Sequence, residues 1–266
     1  MSVYIKEKPA YLRLSLQSLK EQTLPPNEVV LVQDGPITAE LENVIAEFQT
    51  SLPIKLVNLE NNQGLSKALN IGLQHCKNDW VARFDTDDIC LPKRLKLQAK
   101  YIAENPSADI VGGFARRMDE GGELYDLIKA PVGSERIKQL IWTCPMIHPT
   151  VCYRKDKIIA IGGYDSKAGP RQDDYDLWFR CAAAGYEFHN IPQPLLLYRF
   201  TEANMRRNSL KVGYHRLKVG FRGNKKLGYG LKAYIGVTVP FFRAMLPYPL
   251  NIWVYRLLSR FNPRNK

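Results

Sequence analysis

The sequence predicts an α/β fold, with a mixed, mainly parallel sheet flanked by helices, followed by a basic, aromatic helical appendage. Three observations predict it. Between Ser2 and about Asp119, short apolar runs alternate with amphipathic stretches, the pattern of a sheet covered by helices. In 266 positions, 45% hydrophobic residues supply a sizeable core without cross-links. The charge is also divided along the chain. Residues 1–202 hold 24 Lys and Arg against 26 Asp and Glu, whereas residues 203–266 hold 14 Lys and Arg and no acid. The net charge of +12 therefore arises in the tail, and the chain divides into a domain over 1–202 and a tail over 203–266.

Leu12, Leu16 and Leu19 recur at helical spacing and predict the first helix. "EVVLVQDG" (28–35) reads as a strand closed by an Asp-Gly turn, and Leu41, Val44, Ile45 and Phe48 mark a second helix. The unit repeats with "IKLVNLE" (54–60) as a strand and "GLSKALNIGLQHC" (64–76) as a helix. "WVARFD" (80–85) is the next strand, and Pro92 suits the first turn of a helix running to about Asn105. After "ADIVGGFARRM" (108–118) come a hairpin turn at Gly121-Gly122, a helix near 134–142 and a strand at "MIHPTVCYR" (146–154). The helix "DDYDLWFRCAAAGY" (173–186) closes with Gly185 as its cap.

The five cysteines are scattered and lack the paired spacing of a zinc site or a disulfide framework, which predicts reduced core thiols in a cytosolic compartment. The start "MSVYIKEKP" has no continuous apolar run and does not read as a signal peptide.

"ARFDTDDICLP" (82–92) ends an apolar strand with Asp85, Asp87 and Asp88, three carboxylates that repel one another unless a positive group sits among them. Hard oxygen donors of this kind suit Mg²⁺ or Mn²⁺, with phosphates and water completing the shell. Taken alone, Asp87 and Asp88 read equally well as helix caps or solvated loop acids. In open parallel sheets, ligands gather beyond the C-terminal strand ends, where Asp34 and the 85–88 acids both fall.

Four further stretches occur in order along the chain: "VQDGP" (32–36), "NNQGLSKALN" (61–70), "GGYDSKAGPRQDDYDLW" (162–178) and "LLLYRF" (195–200). Over roughly residues 2–200 the chain resembles the family-two glycosyltransferases of the GT-A fold, in particular bacterial enzymes of capsule, exopolysaccharide and O-antigen synthesis, amylovoran-type transferases among them. The resemblance implies an inverting hexosyltransferase that takes a nucleoside diphosphate sugar, a UDP-sugar in first place, and a glycan acceptor linked to a polyprenyl lipid.

The resemblance also implies roles for individual residues. Asp34 would accept from the uracil imide, Asn62 and Lys67 would lie near the nucleotide, and Asp85 would face the ribose; Asp34 reads equally as a turn residue before Gly35, and Lys67 equally as a solvated helix lysine. Asp87 would hold the metal, with Asp88 as a supporting ligand. Asp174 would be the catalytic base, with Asp173 standing where the family more often has Glu. Asp173 and His148 are candidate acceptor contacts, and His148 reads equally as a core histidine. Trp178, Phe179 and Tyr186 read as helix core rather than sugar platforms. The family commonly has a histidine after "YR", which "YRFTEANMRR" lacks, so a phosphate contact by Arg199, Arg206 or Arg207 does not carry over. Members usually have apolar residues ahead of the segment matching "SVY", so Met1 is expected to fall inside a first strand that begins earlier.

In the tail, the uncharged runs within 233–242 and 244–255 are shorter than the ~20 residues of a spanning helix, and prolines and Arg243 interrupt them. Cations with Tyr, Phe and Trp suit a tail lying on the inner face of a bacterial plasma membrane. The alternatives are a basic surface packed on the domain without lipid, and nucleic acid, which is the less favoured partner. A metal-dependent nucleotidyltransferase is the rival enzyme reading, but no glycine-rich phosphate loop follows the first strand. The third reading is an inert adaptor.

Overall fold

The computed structural model describes residues 1–201, 209–259 and 263–265. Arg206 and Arg207 lie outside the described residues.

Two sheets form the centre. In the first, β1 (Ser2–Val3), β2 (Val29–Gln33) and β3 (Ile54–Asn58) pair in parallel in that order. Helices α1 (Pro9–Lys20), α2 (Ala39–Gln49) and α3 (Leu65–His75) connect and cover it. Their apolar stripes explain the packing. Leu12, Leu16 and Leu19 of α1 close with Leu41, Val44, Ile45 and Phe48 of α2 onto Val29 and Leu31. The Met1 ammonium donates to Val30 O at 3.0 Å, and burial pulls its pKa down to about 6.

The second sheet is mixed. It contains β4 (Trp80–Ala82), β5 (Ile89–Cys90), β6 (Ile110–Met118), β7 (Leu124–Ile128), β8 (Cys152–Arg154) and β9 (Phe188–Arg199), ordered β4-β8-β6-β9-β5 with β7 on β6. Its longest pairing, β6 with β9, is parallel, and its other pairings are antiparallel. Helix α4 (Arg94–Glu104) follows β5. The predicted hairpin at Gly121-Gly122 joins β6 to β7.

Three elements are shorter than their patterns suggest. The strand expected at 146–154 is extended only over Cys152–Arg154, because Pro149 falls in a 3₁₀ turn at His148–Thr150. The helix expected near 134–142 splits into α5 (Ser134–Gln139) and a 3₁₀ turn at Ile141–Thr143. The strand expected at 80–85 pairs only through Ala82.

A short α6 (Lys155–Ala160) leads to α7 (Asp173–Ala183), which ends as expected at Gly185, in the left-handed region at φ 78°. The tail is helical and docked, as α8 (Leu210–Leu227), α9 (Leu231–Ala244) and α10 (Tyr248–Ser259). Helix α8 packs on α7. A Cβ on Gly223 would lie 2.3 Å from the Phe179 ring, so only glycine allows this approach. Arg222 of α8 pairs with Asp176 of α7, whose side chain is almost wholly buried. Val219 of α8 shares the core with Trp178 and Phe188. Among the described residues, no helix is long and apolar enough to cross a membrane.

Candidate active site

The acid turn 85–88 is fixed from both sides by the strands it joins. After β4, Arg83 N donates to Val151 O at 2.9 Å, and the buried Arg94 donates to Arg83 O at 2.7 Å. Beyond the turn, Ile89 and Cys90 of β5 pair with Leu197 and Leu196 of β9. Asp88 accepts from Arg199 N at 2.8 Å, while the Arg199 guanidinium donates to Asp87 O at 2.9 Å and to the carbonyl of Asp119 at 2.9 Å. Arg199 therefore braces the acid turn through the backbone.

Part of the positive charge required by these acids comes from the chain itself. Arg83 forms an ion pair with Asp85; its side chain is 4% exposed and that of Asp85 30%. Burial works against the Arg83 charge, but the Asp85 carboxylate outweighs it and the guanidinium pKa is raised. One cation does not neutralise the group. Burial, then the charges of Asp85 and Glu7, push the Asp87 carboxyl up to about 7. Burial, then Asp87 and Asp85, push Asp88 well above the usual carboxylate range.

These residues fit a divalent cation. Asp85, Asp87 and Asp88 each offer an oxygen, all within 4.8 Å of one another, and Asp88 Oδ2 is buried with no hydrogen-bond partner. A hard dication satisfies both the orphaned oxygen and the charge excess.

Around this turn lies a cavity of about 590 Å³, within the usual range for a small-molecule site. Asp34, Asn62, Asp85 and Asp87 line it together with Glu7, Arg171 and Tyr198. Asp34 is buried at the end of β2, where its two oxygens accept from Gln63 N at 2.6 Å and Gly64 N at 2.9 Å. Asn62 donates to Asp34 O at 3.1 Å. The 61–64 loop is thus folded onto the turn after β2. Gly35 is what allows it, since a Cβ there would lie 2.5 Å from Asn62 N and its φ is +83°. Lys67 is exposed on α3 and does not line the cavity.

Asp173 and Asp174 open α7. Ser66, in the first turn of α3, donates to Asp173, which joins the start of α7 to the start of α3, where Gly64 and Leu65 line the cavity. Asp174 is half-buried. One of its oxygens accepts from Tyr175 N at 2.8 Å and the other from Cys144 Sγ at 3.4 Å. Burial raises its pKa; the Arg216 guanidinium from α8 opposes this and Asp173 adds to it.

His148 is not at the cavity. Its Nε2 lies 2.8 Å from Tyr164 Oη and its ring packs against Trp178, with burial and then Arg83 holding its pKa well below the ordinary imidazole value. This is the packed alternative, and His148 is assigned no acceptor contact. Trp178, Phe179 and Tyr186 are buried, as expected.

Sequence reasoning missed Arg83, Ser66, Arg171 and Arg216. Arg83 was legible, since in the strand expected at 80–85 it precedes Asp85 by two residues and would project from the same face. Ser66 sits beside Lys67 in a stretch already singled out. Arg171 adopts φ 59°, rare for a residue with a Cβ, and nothing in "GPRQDD" signals it. Arg216 is far away in sequence.

Comparison with known proteins agrees with this geometry. The model of "Glycosyl transferase family 2" matches residues 1–162. The chain belongs to that family. It is a glycosyltransferase, similar over three quarters or more of its length to relatives in polysaccharide and O-antigen synthesis. An uncharacterized glycosyltransferase of Haemophilus influenzae is 40% identical, over 98% of this chain and 97% of its own. The amylovoran biosynthesis glycosyltransferase AmsE of Erwinia amylovora is 39% identical over 84% of this chain and 85% of its own. The UDP-Gal:alpha-D-GlcNAc-diphosphoundecaprenol beta-1,3-galactosyltransferase of Escherichia coli is 30% identical over 98% and 95%.

Solved structures share the fold at low identity. S. aureus TarS 1–349 in complex with UDP-GlcNAc superposes with a TM-score of 0.67 at 17% identity, covering 91% of this chain and 71% of that one. The mannosyltransferase PcManGT of Pyrobaculum calidifontis, in complex with GDP-Man and Mn²⁺, gives 0.66 at 15% identity, covering 99% and 81%. The chain thus has the GT-A fold expected from the resemblance.

Proposed function

We propose that this glycosyltransferase moves a sugar from a UDP-sugar to a hydroxyl of a lipid-linked glycan, with inversion at the anomeric carbon. The observation that carries the reading is the under-neutralised acid turn, with its orphaned Asp88 oxygen, on the wall of a cavity that also holds Asp34. Such a site matches a nucleoside diphosphate that brings its own cation. The printed name of the Escherichia coli relative, with its UDP-Gal donor and diphosphoundecaprenol-linked acceptor, supports the donor and acceptor classes.

In this reading Asp34, which keeps lone pairs beyond its two backbone contacts, receives the imide N–H of the base. Asn62 holds the loop that shapes that end, and Asp85, oriented by Arg83, faces the ribose. Asp87 and Asp88 are the residues that hold Mg²⁺ or Mn²⁺, which when bound neutralises charge on the departing diphosphate. Asp174 accepts the acceptor hydroxyl proton as the new C–O bond forms on the face opposite the breaking bond to phosphate, whose electron pair leaves with the nucleoside diphosphate. The raised Asp174 pKa suits a base, because a more basic carboxylate takes a proton more readily. Asp173 positions Asp174 through its bond to Ser66.

The test is turnover of individual UDP- and GDP-sugars with Mn²⁺ and a lipid-diphosphate GlcNAc acceptor. Acceptor-dependent release of UDP with an inverted product is expected. Asp174→Asn should cut turnover by ~10²–10⁴ while calorimetry still shows donor binding. Undiminished turnover in that variant removes Asp174 from the role, and a product of retained configuration overturns the inverting reading.

A further inference from the structure

Nothing in the described chain covers the outward face of α9. Leu231 is 75% exposed, Ile235 57%, Phe242 60% and Met245 53%. With ~100° of turn per residue these four fall within about 80° of arc, a single stripe. The opposite face is the docked one. Ala233 and Val237 are buried there, and a Cβ on Gly236 would lie 2.0 Å from the Trp142 ring, so α9 is pressed on the domain with its apolar stripe turned away. Leu250, Trp253 and Leu257 of α10 are exposed as well.

Charge decides what such a stripe meets. Exposed Lys232 sits on α9, and α8 carries exposed Lys211, Lys218, Lys225 and Lys226. Residues 203–266 contain 14 cations and no acid, so a second copy meeting the first across this face would bring two unrelieved positive fields together. Nucleic acid satisfies the cations but offers no hydrocarbon to Leu231, Ile235 and Met245. An anionic lipid leaflet offers both.

We propose that α9 lies along an anionic lipid surface with Leu231, Ile235, Phe242 and Met245 sunk at the boundary of headgroups and acyl chains and Trp253 at headgroup depth. The purpose, though not the surface itself, rests on the proposed lipid-linked acceptor. Helix α8 joins this layer to α7, whose first residues are Asp173 and Asp174, so docking would hold the domain that carries the base beside an acceptor in the same membrane.

The test is flotation of the full chain with phosphatidylcholine vesicles and with mixed phosphatidylcholine–phosphatidylglycerol vesicles, alongside Ile235→Ser and Phe242→Ser. Both side chains are exposed, and equal melting temperatures establish that the variants are folded. The wild type should float with the anionic vesicles, less so as salt rises, and each variant should partition about tenfold less. Wild-type protein left unbound, or variants that float equally, overturns the proposal. So does a dimer in solution that the variants dissociate while lipid binding is missing, or a nucleic-acid shift in place of flotation. Donor hydrolysis with Mn²⁺ in lipid-free buffer is followed in parallel and should be the same in all three proteins. Flotation with no hydrolysis of any UDP-sugar counts against the proposed donor and upholds the lipid surface.

Discussion

The guanidinium of Arg216 lies 4.3 Å from the centre of the Tyr175 ring, setting a cation from the tail next to the residue that follows Asp174. The same side chain reaches Thr143 O at 3.4 Å, one residue before the Cys144 whose thiol donates to Asp174. The tail is therefore part of the site's electrostatics. A base works when deprotonated, and Arg216 favours the deprotonated form of Asp174. Arg216→Gln should raise the Asp174 pKa further and move the acid limb of the kcat/KM profile to higher pH. An unmoved limb with lowered kcat would reduce Arg216 to a packing role.

The acid turn makes a prediction about pH and metal. Asp87 binds a proton up to about pH 7 in the folded chain against an ordinary value of 3.8. Between those limits the folded state holds more protons than the unfolded one, so this residue's contribution to stability falls as pH rises. In EDTA, the melting temperature of the wild type should decline more steeply across that window than that of Asp87→Asn. Mn²⁺ should raise the wild-type melting temperature most above pH 7, where its ligands are ionised, and leave Asp87→Asn nearly unmoved. Equal Mn²⁺ responses in the two proteins would place the metal elsewhere.

Much of this was legible in the sequence, for reasons specific to each part. Periodicity located α1, α2 and α3, because each has one buried stripe over three turns, while α7, buried from Tyr175 through Phe179, was marked by its acidic start and its Gly185 end. Periodicity overestimated β4 and β8. Apolar runs around these strands are buried whether or not they pair, so hydrophobicity does not mark where the ladder ends. Asp34, Asn62, Asp85 and Asp87, singled out in separate stretches of the sequence, line one cavity because each sits in a loop that follows a strand. Lys67 is exposed and off the cavity wall, and sequence does not settle this because the exposed and cavity-facing sides of a short helix look alike in it. Arg216 and Cys144 were invisible, since their meeting with Asp174 depends on the docking of α8 and on Cys144 turning left-handed at φ 60°.

Arg83 offers a test of how the chain balances its own acids. Replacing it by Gln removes the buried cation that pairs with Asp85 and leaves Arg199, which braces the turn through the backbone, as the remaining buried cation in contact with it. Asp85 is partly exposed, so solvent relieves some of the loss and the destabilisation should be moderate. Arg83→Gln should melt lower in EDTA and gain more from Mn²⁺ than the wild type, because the ion then meets a more negative site. If Mn²⁺ restores nothing, Arg83 acts through packing and not through the charge of the acid turn.

The last prediction concerns the nucleotide end of the cavity. Gly35 holds φ +83° while Asn62 N occupies the space where a Cβ would project, at 2.5 Å. Gly35→Ala therefore meets two penalties, about 1–2 kcal/mol for the left-handed backbone and a further cost for pushing away backbone rather than a flexible side chain. The loop that must retreat carries the Gln63 and Gly64 N–H groups that hold Asp34. Asp34 would lose its fixed orientation along with the fold's stability, so the variant should melt lower and also bind UDP more weakly than its melting temperature alone implies. Calorimetry well below the melting transition separates the two effects. Wild-type UDP affinity at that temperature would show that Asp34 does not need this loop to meet the base.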